Sequence, residues 1–318
     1  MTPTPPKLSV ILPCLNEASH LEQSIQTICS ELSFLDGNYE MLVIDDGSSD
    51  DTWQAICRCA AKTDQIRGLR LSRRFGKELA LTAGLEHARG EAVLLMDSDL
   101  QHPPSMIPEM VRIWSEEHYD VVEAVKEKRG GESLASRVKA YLFSALHRRM
   151  SGIDLRNASD FKLMDRKVVD AWSQMPERNV FFRGMSAWLG FRRKQIPFTV
   201  APRVSGRTSW TQIGLIKLAI TGITAYSSAP IQLIPFMGML FIVFAAVLGS
   251  YTLAAWFAGD AVEGFTTVII LQLLTSGIIM TALSILGAYL SNIYHEVKGR
   301  PRYLICENTE SPRNRTDS

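Results

Sequence analysis

Two long windows of this 318-residue chain, Leu218 to Gly259 and Gly264 to Tyr294, carry no acidic or basic side chain, and no other feature limits its folding so severely. A hydrocarbon core about 30 Å thick is crossed by roughly 20 apolar helical residues rising about 1.5 Å each, and both windows exceed that length. Core helices of soluble proteins rarely run so far without a charge. The windows therefore predict two membrane spans, Ile231–Phe257 and Thr266–Tyr289, with Pro230 and Pro235 opening the first and Trp256 near its far interface. Arg203, Arg207 and Lys217 precede the first span, and Lys298, Arg300 and Arg302 follow the second, whereas the connecting loop carries only Asp260 and Glu263. The positive-inside rule then puts both ends of the hairpin in the cytoplasm. Met1–Lys7 is rich in Pro and Thr and lacks the basic-then-apolar pattern of a signal peptide. The expected organisation is a cytosolic domain over 1–210, an interfacial amphipathic helix over 211–228, two transmembrane helices over 229–294 and a cytosolic tail over 295–318.

Outside these windows the composition is that of a globular protein. Lys and Arg number 34 against 33 Asp and Glu, a net charge of +1, which removes the basic excess of a nucleic-acid binder. The five cysteines (14, 29, 57, 59 and 306) lack the paired spacing of a structural zinc site and read as free thiols.

The first two thirds alternate between β-rich runs and helical periodicity, which predicts an α/β fold with a mainly parallel sheet. Strands are expected at Leu8–Leu12, Tyr39–Ile44, Gly68–Leu71 and Ala92–Met96, and helices at Ala18–Leu32, Asp51–Ala61 and Glu78–His87. The second strand stops at Asp45-Asp46-Gly47-Ser48 and the fourth at Asp97-Ser98-Asp99. Ligands of open α/β sheets sit at the carboxyl ends of strands, where both acidic clusters fall. Two aspartates flanking one residue suit a hard cation, Mg²⁺ or Mn²⁺, completed by water and substrate phosphates, so a nucleotide diphosphate is the natural guest. On spacing alone, a solvated turn explains the same residues. No Gly-x-Gly-x-x-Gly follows the first strand and no Walker loop occurs, which disfavours dinucleotide and P-loop chemistry.

Several segments, taken in order, resemble the GT-A inverting glycosyltransferases, in particular the polyprenyl-phosphate sugar synthases. They are Val10-Ile-Leu-Pro-Cys-Leu-Asn-Glu17, Val43-Ile-Asp-Asp-Gly-Ser-Ser-Asp50, Ser72-Arg-Arg-Phe-Gly-Lys77 with Ala83-Gly84-Leu85, Met96-Asp-Ser-Asp-Leu-Gln-His-Pro-Pro104, Asp160-Phe-Lys-Leu-Met-Asp-Arg166, and the tail from Gly287 to Tyr303. The resemblance covers nearly the whole chain. It implies a GT-A domain over 1–210 and donor-nucleotide binding by Pro13, Glu17, Asp45, Asp46, Lys77, Asp97, Ser98 and Arg203. It further implies a metal and diphosphate site at Asp97, Asp99 and Gln101, and an acceptor-orienting or basic Asp160, with Arg166 a candidate partner for Asp160. Asp97, Asp99 and Asp160 are thus the expected catalytic set. Leu15 stands where relatives carry an aromatic residue, which leaves apolar contact in place of base stacking. Relatives also carry a lysine that is absent from Arg203-Val-Ser-Gly206-Arg-Thr208-Ser209-Trp210, where Arg207 is a candidate substitute.

On the acceptor side, a basic amphipathic helix over about 132–150 carries Leu134, Val138, Tyr141, Leu142 and Ala145 on one side and Arg137, Lys139, Arg148 and Arg149 around it. Such a helix suits a membrane surface, with Arg129, Arg137 and Arg203 as candidates for a lipid phosphate. Ile213, Ile216, Ile220 and Ile223 recur at helical spacing in the interfacial stretch that follows.

The implied reaction moves a hexose from a nucleotide sugar to undecaprenyl phosphate, with inversion, at the bacterial inner membrane. Asp160-Phe-Lys-Leu-Met resembles the glucosylating branch more than the aminoarabinose branch, so UDP-glucose is the first expectation, with GDP-mannose its principal rival. The family also implies a homo-oligomer, with a tetramer as one form. The nucleophile is already an anionic phosphate oxygen, so catalysis rests on positioning and on neutralising the leaving diphosphate. His20, His87, His118, His147 and His295 read as surface or packing residues, and His102, beside the metal motif, as the one that could touch the site. A processive polysaccharide synthase would need more spans and a Gln-x-x-Arg-Trp motif. A scaffold or transporter with a degenerate nucleotide domain is the reading from a different class, and the spans lack the intramembrane charge that ion coupling requires.

Overall fold

Strand β1 (Leu8–Cys14) has every residue buried, as do β4 (Ala92–Leu95) and nearly all of β2 (Tyr39–Asp45). Strands apolar on both faces need a helical layer above and below, the condition of a parallel sheet. The computed structural model describes residues 5–126, 159–175, 177, 182–198, 229–258 and 264–310. These divide into two units, the described residues up to 198 together with 300–310, and the described residues from 229 to 299.

In the first unit the chain runs β1, α1 (Leu21–Glu31), β2, α2 (Thr52–Ala60), β3 (Ile66–Leu71), α3 (Lys77–His87), β4, α4 (Ile107–Glu117), β5 (Val121–Lys126), β6 (Lys162–Asp165), α5 (Arg166–Ser173), α6 (Phe182–Trp188) and β7 (Arg193–Phe198). The second unit supplies α7 (Ala229–Phe257) and α8 (Phe265–Val297), after which β8 (Ile305–Asn308) belongs again to the first. The described strands form one sheet in the order β7-β5-β6-β4-β1-β2-β3-β8. Four ladders are parallel (β4–β1, β1–β2, β2–β3 and β5–β7), and β6 and β8 pair antiparallel.

The four strands and three helices expected from the first hundred residues are present, with boundaries shifted by up to three residues. Helix α3 is buried all round from Ala80 to Leu85 and packs on β1 and β2 so closely that a Cβ at Gly84 would lie 2.4 Å from Ile11. After β1, β2 and β3 have been laid down in one direction, β4 returns to the other side of β1. In open α/β sheets such a reversal forms a crevice at the carboxyl ends of the strands beside it, here β1 and β4, and this is the usual ligand position.

The segment expected as a cytosolic tail is in part structural: Arg70 is the register partner of Glu307 and Leu69 that of Asn308, so β8 lengthens the sheet by one strand. Helices α7 and α8 contain apolar stretches at Ile234–Ala255 (22 residues, mean hydropathy 2.0) and Leu271–Val297 (27 residues, 1.8), with none of either stretch buried. By length and composition each could cross a membrane. Pro235 lies inside α7, where it removes one helical N–H donor. The expected helix over 132–150, the interfacial stretch 211–228, and Arg129, Arg137, Arg203 and Arg207 lie outside the described residues.

One ion pair is sealed inside the sheet. Lys162 Nζ donates to Glu123 Oε1 and to Ser186 Oγ, each at 2.8 Å, and the paired side chains are 1% and 2% exposed. Removing one partner strands the other charge, whereas replacing both with apolar groups does not. Lys162→Met is therefore expected to cost about 3–5 kcal/mol in urea unfolding, and the Lys162→Met/Glu123→Leu double variant to recover most of that loss.

Candidate active site

The Ile11 carbonyl accepts from Met96 N–H, so Ile11 faces β4, and Pro13, two residues on, faces the same way beyond the point where β4 ends. A proline is tolerated there because β4 no longer asks that position for an N–H. In its place the Pro13 carbonyl oxygen, 3.1 Å from Ser98 Oγ, ties the end of β1 to the loop after β4. The same hydroxyl lies against the Glu17 carboxyl, and a hydroxyl has one hydrogen to give. Burial, together with repulsion from Asp99, Asp97 and Asp50, outweighs the Ser98 contact and pushes Glu17 up to about 7. When Glu17 carries a proton it donates to Ser98, which donates in turn to Pro13, and every group is satisfied.

The second cluster caps β2. Asp45 has no exposed side-chain surface; its Oδ1 accepts Ser48 N–H at 2.8 Å and its Oδ2 faces Arg70 Nε at 3.3 Å. Asp46 accepts Phe75 N–H at 2.7 Å and Gly76 N–H at 2.9 Å, so its carboxylate clasps the loop between β3 and α3. Burial raises the Asp46 pKa, and these two donors oppose the rise. Gly47 makes the turn at φ +69°, and a Cβ there would lie 2.5 Å from the Arg73 backbone, so the close approach admits glycine alone.

The clasp sets Lys77 at the first turn of α3. Its Nζ lies 2.5 Å from Asp97 Oδ1 and 3.1 Å from Asp160 Oδ2, joining aspartates that are far apart in the chain. Burial disfavours the ammonium, but Asp97 and Asp160 outweigh it and hold the Lys77 pKa above its ordinary value. Asp99 Oδ1 accepts Gln101 N–H at 3.0 Å. Leu100 between them takes φ +58°, an uncommon conformation for an aliphatic residue that sets the loop turning back over the strand ends.

His102 braces this loop from below. Its Nδ1 accepts Asp97 N–H at 3.1 Å, and its ring stacks on Phe161, the neighbour of Asp160, at 4.9 Å. Burial lowers its pKa, and because Nδ1 accepts the Asp97 N–H the ring proton is on Nε2. Sequence reasoning raised contact with the site; the structure gives His102 a bracing position that joins the two aspartate-bearing segments. Arg166, expected beside Asp160, turns away instead: its Nε donates to the Gly90 carbonyl at 2.8 Å and a terminal nitrogen donates to that of Ala88. Lys77 takes the place it was expected to fill. The contacts join Pro13, Ser98 and Glu17 in one group and Lys77, Asp97 and Asp160 in another, linked through the Asp97-Ser98 loop that also holds Asp99 and Gln101, while Asp45 and Asp46 order the turn at the end of β2. Sequence reasoning did not find Arg70; the signal was the second of two arginines in the short strand Ile-Arg-Gly-Leu-Arg-Leu, which follows the strand that ends at the acidic turn.

The glycosyl transferase family 2 pattern matches residues 9–172, which include all ten of these residues. The chain is 36% identical over 303 residues to the uncharacterized glycosyltransferase sll0501 of Synechocystis sp., covering 95% of both. It is 33% identical to the prophage bactoprenol glucosyl transferase homolog of Escherichia coli (94% and 98% covered) and 32% identical to the bactoprenol glucosyl transferase of Shigella phage SfII (94% and 97%).

The chain belongs to glycosyl transferase family 2. Its α/β domain, with a mostly parallel sheet, is GT-A-like, as expected from the motifs.

For this glycosyl transferase family 2 site, the Glu17 position generates a pH prediction. A carboxyl whose folded pKa lies above its unfolded value favours folding most at low pH, and that contribution is lost as pH rises through about 7. The unfolding free energy of Glu17→Gln relative to the parent is therefore expected to rise by about 3 kcal/mol between pH 4 and pH 8. Thermal or urea unfolding of both proteins across that range measures it, and a pH-independent difference would refute the assignment.

Proposed function

We propose that this protein transfers a hexose from a nucleotide sugar, UDP-glucose in the first instance, to the phosphate of undecaprenyl phosphate, inverting the anomeric centre. The reaction takes place at the cytoplasmic face of the bacterial inner membrane, with α7 and α8 as the two spans. The observation that carries this reading is the Lys77 ammonium held between Asp97 and Asp160 at the switch point of the sheet. The names of the bactoprenol glucosyl transferase relatives support the acceptor, and the apolar stretches of α7 and α8 suit an enzyme whose substrate is a lipid.

The base and ribose are assigned to the end of the crevice beside Glu17, Asp46 and Pro13, with the buried Asp45 ordering the turn that supports it. Lys77 meets the diphosphate: when the donor arrives, its anionic oxygens compete with Asp97 and Asp160 for the ammonium, which moves charge onto the leaving group where it is needed. Asp160 orients the acceptor, since a phosphate oxygen that is already anionic needs no strong base.

Among the described residues no three His, Cys, Asp or Glu side chains converge on one point. Asp97 and Asp99, both partly open to solvent, make a two-carboxylate donor set. The chemistry of that set suits Mg²⁺ or Mn²⁺, which keep water and substrate oxygens in their remaining positions, and Gln101 belongs to the same loop, its N–H bound to Asp99. A divalent ion there supplies charge neutralisation for the departing diphosphate.

The test is transfer of radiolabel from UDP-glucose, GDP-mannose and other nucleotide sugars to undecaprenyl phosphate in membranes, with and without EDTA. Label enters the lipid from UDP-glucose and is lost on chelation, and Asp99→Ala lowers transfer at least about a hundredfold while the protein still inserts. Turnover that survives complete chelation would overturn the metal assignment, and unaltered turnover in Asp99→Ala would overturn the role of that carboxylate.

A further inference from the structure

The acidic turn after β2 is steadied by a residue near the end of the described chain. Arg70, on β3, has all three guanidinium nitrogens engaged: Nε faces Asp45 Oδ2 at 3.3 Å, Nη2 donates to the Ser48 carbonyl oxygen at 3.3 Å, and Nη1 donates to Glu307 Oε1 at 2.7 Å. The other oxygen of Glu307 accepts Trp53 Nε1–H at 2.9 Å, so donors from β3 and α2 fix the Glu307 carboxylate from two sides. Asp45 Oδ2 is buried and has no hydrogen-bond partner in the structure, which makes the adjacent guanidinium its electrostatic counterpart.

We propose that Glu307 is a positioning residue for the nucleotide-binding turn Asp45–Ser48, acting through Arg70, and that β8 is thereby a working part of the donor site. This rests on the reading of Asp45 as part of the nucleotide cradle. A guanidinium is a rigid planar fork, so anchoring one arm sets the direction of the other two. The Glu307 carboxylate is half-exposed, at 49%, and an exposed pair of this kind adds little to stability. Its effect falls instead on where Arg70 points. Without Glu307, Nη1 turns to water, Nε leaves Asp45, and a buried carboxylate already short of one hydrogen bond loses its facing charge. The turn must then shift, and the shift alters the shape offered to a base and ribose. The chain that follows α8 would in this way tune a pocket built by the first fifty residues.

The full-length protein tests this by calorimetric titration with UDP and with GDP, each with Mn²⁺, and by steady-state transfer assays. Glu307→Ala is expected to weaken nucleoside diphosphate binding and raise the donor KM about tenfold, leaving kcat and the lipid KM within about twofold. Glu307→Gln recovers part of the loss, because its amide oxygen still accepts from Arg70. Trp53→Phe cuts the other bond to Glu307 and leaves the Arg70 fork intact, so its affinity stays within about twofold of the parent. Equal losses in Trp53→Phe and Glu307→Ala would reduce Glu307 to an anchor for β8 and overturn the proposal, as would unchanged affinity in Glu307→Ala. A parent protein that binds neither nucleoside diphosphate would instead overturn the reading of the cradle itself, and the proposal with it.

Discussion

A single ammonium between two carboxylates holds the crevice together. Lys77 begins α3, Asp97 ends the strand segment beyond β4, and Asp160 precedes β6, so the three meet only when the sheet has closed its order around β1. Three charges at this distance carry a net charge of −1, and two carboxylates without the lysine would repel each other at a partly dehydrated strand end. The supports of the cluster serve this meeting. The Asp46 clasp fixes the loop from which α3 starts, and His102 binds the Asp97 backbone N–H and stacks on Phe161, the neighbour of Asp160.

The crevice is strongly acidic for a site proposed to take an anionic donor, and the structure shows how that acidity is distributed. Asp46 is met by two backbone N–H groups, Asp45 by one N–H and a guanidinium, and Asp97 and Asp160 by the shared lysine. Glu17, which burial holds near 7, exchanges its charge for a proton close to neutrality. Asp99 accepts a backbone N–H of its own loop. A proposed cation between Asp97 and Asp99 would complete the balance on the side facing the diphosphate.

Much of this arrangement was legible in the residues. The strand ends at Asp45 and Asp97 announced themselves because an apolar run that stops at Asp-Asp-Gly-Ser or Asp-Ser-Asp has both a β-forming body and a turn-forming end. Later elements were harder to read. The strand β5 lies in a stretch without clear alternation, Val-Val-Glu-Ala-Val-Lys, β6 is four residues long, and β8 is a short stretch, Ile-Cys-Glu-Asn, whose pattern does not separate it from a solvated tail. Arg166 was misplaced beside Asp160 because proximity in sequence suggested it; the chain turns into α5 at that residue and carries its guanidinium to the Ala88 and Gly90 carbonyls.

Local patterns settled the alternation of strand and helix, the two long apolar helices and the placing of acidic residues at strand ends, because burial periodicity and turn chemistry act over a few neighbouring residues. The position of β4 beside β1, the partner of Asp160, the bracing by His102 and the joining of β8 to β3 came from the folded chain. Each rests on contacts between residues tens to hundreds of positions apart, and their free energy depends on distances and orientations that no run of adjacent side chains encodes. The chemistry of the site could be read along the chain, but its geometry arose when the sheet was assembled.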